Sequence, residues 1–595
     1  ALAARAPPAG GGLAGKTSAP ARLAAWLLDS RPVRALVKAF HYAFPSASHP
    51  AGPGATQTGP LVAQFVSGLF SISVFILTSI AYPFIAIPAV GPAAFGALMA
   101  FGPLAAIATG PLNGMIAKKL TARNAMALNM AIRAVLALAL PAFAALGVLN
   151  FWTLLVASIA NGWLMSSVMT TENIYLRRFA GPKNVGTVNA IFLMRYLFLQ
   201  VFLGLIVGIG AFVDLWDPMT PFYISAAVHA FVILPITWKF IPNVMEKAPE
   251  AAAAPAAPAG KSRAAALVEA AGKAAKAKAG KVAGFARKYW KEALLFSAAL
   301  GSYFIWPTAL PAAAALAYWI SRTQGFKDLW ARKDLRWAVA FSCLMAFLIF
   351  PLQYYSMPIM AKIIAGEAGK ALLLGQLLGA LFFGQLISSA GQAKLPKLRI
   401  PLLGRFGAER LLQAGVLGLL ATWVFTGLIP AAFIASAPLA AVGIAAAAAA
   451  VGAGLMWLGS KLTNKGWVKL QIMALPLIVL PALFWGSVPV LFGSILMIGL
   501  FYGPLVVSLN GYFYKNVPSK GAESLIGVQG SFFNAAISVG YGAVSMAAGL
   551  FSPAFPSMLY PMAVAFVAAG VALLFAPKLI GLKGPIFNKK EQDQK

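Results

Sequence analysis

Apolar stretches of about 20 residues or more, broken by short polar turns, run along the chain from residue 61 onward. A helix needs roughly 20 apolar residues to cross about 30 Å of hydrocarbon, so the pattern predicts membrane spans. Six are expected near 61–89, 92–116, 126–149, 151–175, 187–213 and 219–240. Eight more are expected near 338–364, 370–391, 409–430, 432–458, 467–485, 487–513, 524–550 and 556–577. The first 60 residues are rich in Ala, Pro and Gly, basic and almost free of acids. They suit a flexible cytosolic extension, with a transit peptide as the other reading. Residues 243–337 form a basic linker, rich in Ala, Pro and Lys at its start. From Ser262 the linker suits either a helix lying on an anionic membrane surface or a flexible connection. Within it, 293–320 is apolar but broken by Gly301, Pro307 and Pro311. Basic residues flank both ends of that stretch, which favours a re-entrant hairpin over a span. Residues 578–595 form a basic tail.

Composition narrows the class. The chain has 595 residues, 60% hydrophobic and 10% charged, with a mean hydropathy of +0.80. About a quarter of the residues of a soluble domain are charged, so a soluble enzyme, a disordered protein and a disulfide scaffold are all excluded. The fold class is an all-α polytopic membrane protein. The single cysteine, Cys343, allows no internal disulfide. A formal charge of +32 would suggest nucleic acid in a soluble protein. Here the basic residues fall in alternate loops, at Lys118, Lys119 and Arg123, at Arg177, Arg178 and Lys183, and again at Lys394, Lys461 and Lys515. By the positive-inside rule these loops and both termini are expected in the cytosol, with the spans in the cell (inner) membrane. No nucleic-acid partner is expected. The partners implied are the lipid bilayer and a small-molecule or lipid substrate.

The two halves overlay. Tyr82-Pro83-Phe84 and Gly91 match Met357-Pro358-Ile359 and Gly366 at an offset of 275, and Gly110 matches Gly384 at 274. Asn173 and Tyr175 match Asn510 and Tyr512 at 337. The jump in offset corresponds to two membrane crossings, which places an inserted helix pair near 408–458. Two six-helix bundles, 61–242 and 338–577, would then flank the linker. This plan resembles the major facilitator superfamily. Its signature after the second span is similar to Gly110, Leu112, Asn113, Lys118, Lys119 and Arg123 here, although Gly114 stands where the family has an Asp. In the family that Asp helps latch the two halves, a role that does not carry over. The resemblance implies alternating access about a central site.

The candidate chemistry is sparse. None of the 15 acids falls in the middle of a predicted span, so a carboxylate proton relay is not expected. Catalytic residues, a metal site and a cofactor are not expected either, because no metal-ligand cluster or phosphate-binding loop occurs. Arg133 and Arg195 lie at matching depth in the third and fifth spans, where a guanidinium costs on the order of 3 kcal/mol unless it meets a partner or a cavity. They mark either an anion-binding vestibule or a brace to Glu172. His229 reads as a proton relay or as a hydrogen-bonded core residue. Gln353, Tyr354 and Tyr355 precede Pro358, the match of Pro83, where a kink would help line a cavity. The function expected is secondary transport of a small solute, an anion if the two arginines line the cavity. A flippase for a lipid-linked substrate and a non-transporting membrane scaffold are the alternatives.

Overall fold

The structure, a computed structural model, describes residues 58–119, 122–241, 323–392, 408–423, 435–461, 487–516 and 522–550. The N-terminal extension, the linker up to residue 322 with its hairpin, the spans expected at 467–485 and 556–577, and the tail lie outside the described residues. All regular structure among the described residues is helical. In the first half, α1 is Thr58–Val90, α2 Pro92–Lys119 and α3 Ala122–Ala145. α4, Phe151–Val201, continues through a π-helical turn at Phe202–Ile206 to α5, Ile209–Leu215. α6, Thr220–Val228, and α7, Leu234–Phe240, are joined by a π-helical turn at His229–Ile233. In the second half, α8 is Gln324–Ala331 and α9 Lys333–Pro351. A π-helical turn at Leu352–Ser356 leads into α10, Met357–Gln392. α11 is Ala408–Trp423, α12 Pro438–Lys461, α13 Val488–Asn516 and α14 Ala522–Leu550. Six of these helical stretches are long and apolar enough to cross a membrane, or seven if the pair bent by 55° at residues 207–208 counts as one.

One expected loop is helical instead, and another is reduced to a sharp kink at a single glycine. The fourth and fifth predicted spans run together as α4, with no break at Arg177, Arg178 and Lys183. Glu172 and Arg195 both hydrogen-bond Gln64, yet a straight helix would hold them about 34 Å apart. α4 therefore folds back on itself between these residues, and its two limbs occupy the places of two spans. α10 likewise absorbs the turn expected at Lys362–Lys370, where Gly366 takes φ 65° and ψ −161°. That backbone is open to glycine and costs other residues on the order of 1–3 kcal/mol. Its repeat partner Gly91 also has a left-handed φ, of 80°, at the junction of α1 and α2. The two matched glycines thus make corresponding turns in the two halves.

The halves meet along two seams. In the first, α2 packs along α14. Ser531, Ser538 and Ser545 of α14 donate from Oγ to the carbonyls of Ile107, Ala100 and Ala93, at 3.0, 2.9 and 2.7 Å. Both series step by seven residues, two helical turns, so the hydroxyls form an antiparallel ladder on one stripe of each helix. In the second seam, the end of α4 and α5 pack on α10. A Cβ on Gly204 would meet the Gly375 carbonyl at 2.6 Å, and one on Gly210 the Ala371 carbonyl at 2.1 Å, so only glycine permits this approach. Asp214 closes this seam: Oδ1 and Oδ2 accept from the amides of Ala371 and Leu372 at 3.1 and 2.9 Å. These amides begin the helical limb after Gly366, where the helix dipole favours a carboxylate. Beside that turn, Glu367 pairs with Lys362 at 3.1 Å and with Lys370. α11 and α12 pack on each other and on α10, with Leu439, Val442, Val451 and Trp457 exposed.

Interhelical hydroxyl bonds in membrane proteins average about 0.6 kcal/mol, and the three rungs are far enough apart to add. Replacing Ser531, Ser538 and Ser545 together by Ala should destabilise the protein by about 2 kcal/mol and lower its melting temperature. Wild-type melting of the triple variant would show that bonds within α14, such as Ser531 to the Gly527 carbonyl, suffice.

Candidate functional site

The first polar cluster lies inside the first half. Gln64 of α1 donates from Nε2 to Glu172 Oε1 at 2.7 Å. Its backbone carbonyl accepts from Arg195 Nη1 at 3.1 Å, and the next carbonyl, Phe65, accepts from the same nitrogen at 2.9 Å. The Arg195 guanidinium lies 5.2 Å from the centre of the Phe65 ring and 4.6 Å from that of Phe192, both faces suited to a cation. It enters α1 through a gap left by Gly68, where a Cβ would stand 2.2 Å from Nη1. Arg195 is thus buried and braced, tying both limbs of α4 to α1 through Gln64.

Arg133 is differently placed. It interacts electrostatically with Glu172, but its Nη2 donates to the Met165 sulfur at 2.6 Å, a weak acceptor. Its Nε has no hydrogen-bond partner among the described residues. His229 is buried in the same electrostatic neighbourhood. Its Nδ1 lies 2.8 Å from the Ser225 carbonyl, which assigns the ring proton to Nδ1 and leaves Nε2 an acceptor. Nε2 also has no partner. Two guanidiniums and one carboxylate give this cluster a formal charge of +1, and Arg133 has fewer acceptors than Arg195.

The second cluster lies between the halves. The Tyr196 side chain, one residue after Arg195, faces Tyr354 of the second half and Gln200 one turn along α4. Tyr502 of α13 and Tyr541 of α14 complete the group around Tyr354, and the Tyr196 ring meets Phe382 edge-on at 5.5 Å. Adjacent residues on a helix point about 100° apart. α4 therefore divides the clusters, with Arg195 facing α1 and Tyr196 facing the second half. Tyr355 points away from this group. It stacks on Phe95 at 6.1 Å, and its ring would block a Cβ on Gly96 of α2. Gln353 is buried in the π-helical turn with them.

The remaining predicted residues are dispersed. Pro83 lies within α1 and Pro358 in the first turn of α10. Gly110, Lys118 and Lys119 lie in the last part of α2. Arg123, at the start of α3, lies 5.0 Å over the Trp238 ring of α7, a contact within the first half. Gly68, Tyr196, Tyr502, Tyr541, the contact of Asp214 and the serine ladder do not stand out along the chain as parts of a site. Of these, only the seven-residue spacing of the serines carries a signal along the chain. Among the described residues no group of three or more His, Cys, Asp or Glu side chains comes together to hold a metal.

No protein-family model matches the chain, and no curated protein matches it. Its fold is similar to solved structures at low identity. A POT family transporter in complex with 5-aminolevulinic acid is 16% identical, over 88% of this chain and 96% of that one, with a TM-score of 0.47. A bacterial homologue of the iron transporter ferroportin is 11% identical, over 88% and 99%, with a TM-score of 0.45. The nucleoside transporter NupG is 13% identical, over 88% and 99%, with a TM-score of 0.40.

The slot at Gly68 is testable. Gly68→Leu should expel Arg195 and strand Glu172, lowering stability by about 3 kcal/mol, as Arg195→Gln should. Because one interaction is lost in both, the double variant should be no less stable than either single one. Additive losses in a double-mutant cycle of melting curves would separate the glycine from the arginine.

Proposed function

We propose that the chain is a secondary transporter that carries a small anionic solute across the membrane by alternating access. The observation that carries this reading is the pairing of Arg195 and Tyr196 on one turn of α4. The first belongs to a cluster with a formal charge of +1, and the second faces Tyr354 across the seam between the halves. The charge and the tyrosines lie on opposite faces of α4, a helix width of about 10 Å apart, and low polarity around them strengthens the attraction for an anion across that distance. Arg133 is the anion contact in this reading, since its guanidinium lacks a strong acceptor, while Arg195 positions α4. Tyr196, Gln200 and Tyr354 supply hydroxyl and amide groups on both halves, so a bound solute bridges surfaces that part during transport. The basic loops face the cytosol.

Purified full-length protein should be stabilised by some members of a panel of carboxylates and phosphate esters, and not by their neutral or cationic analogues. Arg133→Gln should melt close to the wild type, lose that stabilisation and lose uptake of the same anion into proteoliposomes. Tyr354→Phe should weaken it about tenfold, the loss of one hydrogen bond to a charged group. Equal stabilisation of wild type and Arg133→Gln by an anion, or selection of neutral solutes by the wild type, would overturn the reading.

A further inference from the structure

Away from both clusters, a pocket of about 560 Å³ lies between α8, α9 and α14. The volume is in the range of small-molecule sites, about 300–1,000 Å³. Its place along the bundle follows from two contacts. Arg332, at the start of α9, donates to the Asn516 carbonyl at the end of α13 at 2.5 Å. The serine ladder sets the start of α14 beside the end of α2, where Lys118 and Lys119 lie. The pocket therefore opens at the basic end of the bundle.

Its lining is graded. On α9, Arg336, Val339, Ala340 and Cys343 follow the i, i+3, i+4, i+7 spacing of one helix face. That face begins with a guanidinium about one turn into the helix and turns apolar over the next 10 Å or so. The opposite wall is α8, a short helix with its apolar residues on one side and Thr323 as its N-cap, accepting from the Phe326 amide at 3.3 Å. Phe326 stacks on Trp330 at 5.4 Å, and the Arg336 guanidinium lies 4.9 Å over the Trp330 ring. Trp330 is 60% exposed, and Ala340 is exposed too, so the pocket opens outward rather than to the centre of the bundle. The Nε of Arg336 is buried and has no hydrogen-bond partner among the described residues. A buried donor of this kind is costly unless something outside the described chain accepts from it.

We propose that this pocket binds an anionic phospholipid of the surrounding leaflet. Its phosphate accepts from Arg336, and one acyl chain runs along Val339, Ala340 and Cys343 towards Phe532. The gradient from cation to apolar wall matches an amphiphile. Tryptophan at the rim suits the headgroup level of a bilayer, and clustered basic residues favour anionic lipid. Lipid held here would bear on α14 beside Ser531, the ladder rung nearest the basic end.

Cys343, the chain's single cysteine, lines the pocket and reports its occupancy in the unaltered protein. In nanodiscs of phosphatidylcholine alone, a maleimide should alkylate the partly exposed Cys343 slowly but at a measurable rate. With phosphatidylglycerol added to about ten times its dissociation constant, only the empty fraction reacts, and alkylation should slow about tenfold. Phosphatidylglycerol should also raise the melting temperature of the full chain in micelles more than phosphatidylcholine does. Arg336→Gln should abolish both differences, and Ala340→Trp, which fills the pocket without touching the charge, should abolish the melting difference. Equal alkylation rates of the wild type in the two lipids, whether fast or slow, would overturn the proposal. So would a phosphatidylglycerol effect that survives in Arg336→Gln.

Discussion

Helices surrounded by hydrocarbon gain little from hiding apolar surface from one another, because lipid is as apolar as leucine. What holds them is close approach of their backbones, and that constraint organises this protein. At the second seam, Gly204 and Gly210 let α4 and α5 come near enough to α10 for the Asp214 carboxylate to reach two backbone amides. At the first, serines are small enough to let α2 lie against α14 and polar enough to bond its carbonyls. The tyrosine group around Tyr354 sits between halves whose spacing these small residues set.

A second constraint acts inside the first half. A buried guanidinium must find its acceptors within the protein. Arg195 finds two backbone carbonyls of α1, two aromatic faces and, through Gln64, a carboxylate. Because α1 fixes Arg195, the helix cannot rotate freely, and the orientation of Tyr196 towards the second half follows. The structural role of one residue thereby aims its neighbour at Tyr354. Arg133 has no comparable set of acceptors, and the difference between the two arginines is one of geometry rather than of depth.

The helical, membrane-spanning character of the chain was legible from apolar run length, although only six or seven of the described stretches are long and apolar enough to cross a membrane. The matched turns at Gly91 and Gly366 were legible as well, because a left-handed backbone leaves a glycine behind. The junction inside α4 was not. Arg177, Arg178 and Lys183 mark a change of environment, but a polar stretch can stay helical while the chain turns back. The two arginines stood out by their cost in an apolar segment, whereas their partners did not. Gln64 looks like any polar residue on a span, and Gly68 like any small one, until the fold-back of α4 brings Arg195 against them. Tyr196, Tyr502 and Tyr541 are separated by hundreds of residues and share no spacing, so only the tertiary arrangement unites them.

The serine ladder also sets the mechanics of any motion between the halves. Its rungs lie about 10 Å apart, seven residues at 1.5 Å each. A relative tilt of ~10° about the middle rung would move the outer rungs by ~2 Å in opposite senses. That lengthens one outer bond well past hydrogen-bonding distance and presses the other closed. Ser538 with the Ala100 carbonyl then serves as a fulcrum, while Ser531 and Ser545 act as alternating catches at the two ends of the lever. The equal spacing of three hydroxyls makes the two opposite tilts geometrically equivalent about the middle bond, a rocker rather than a zip.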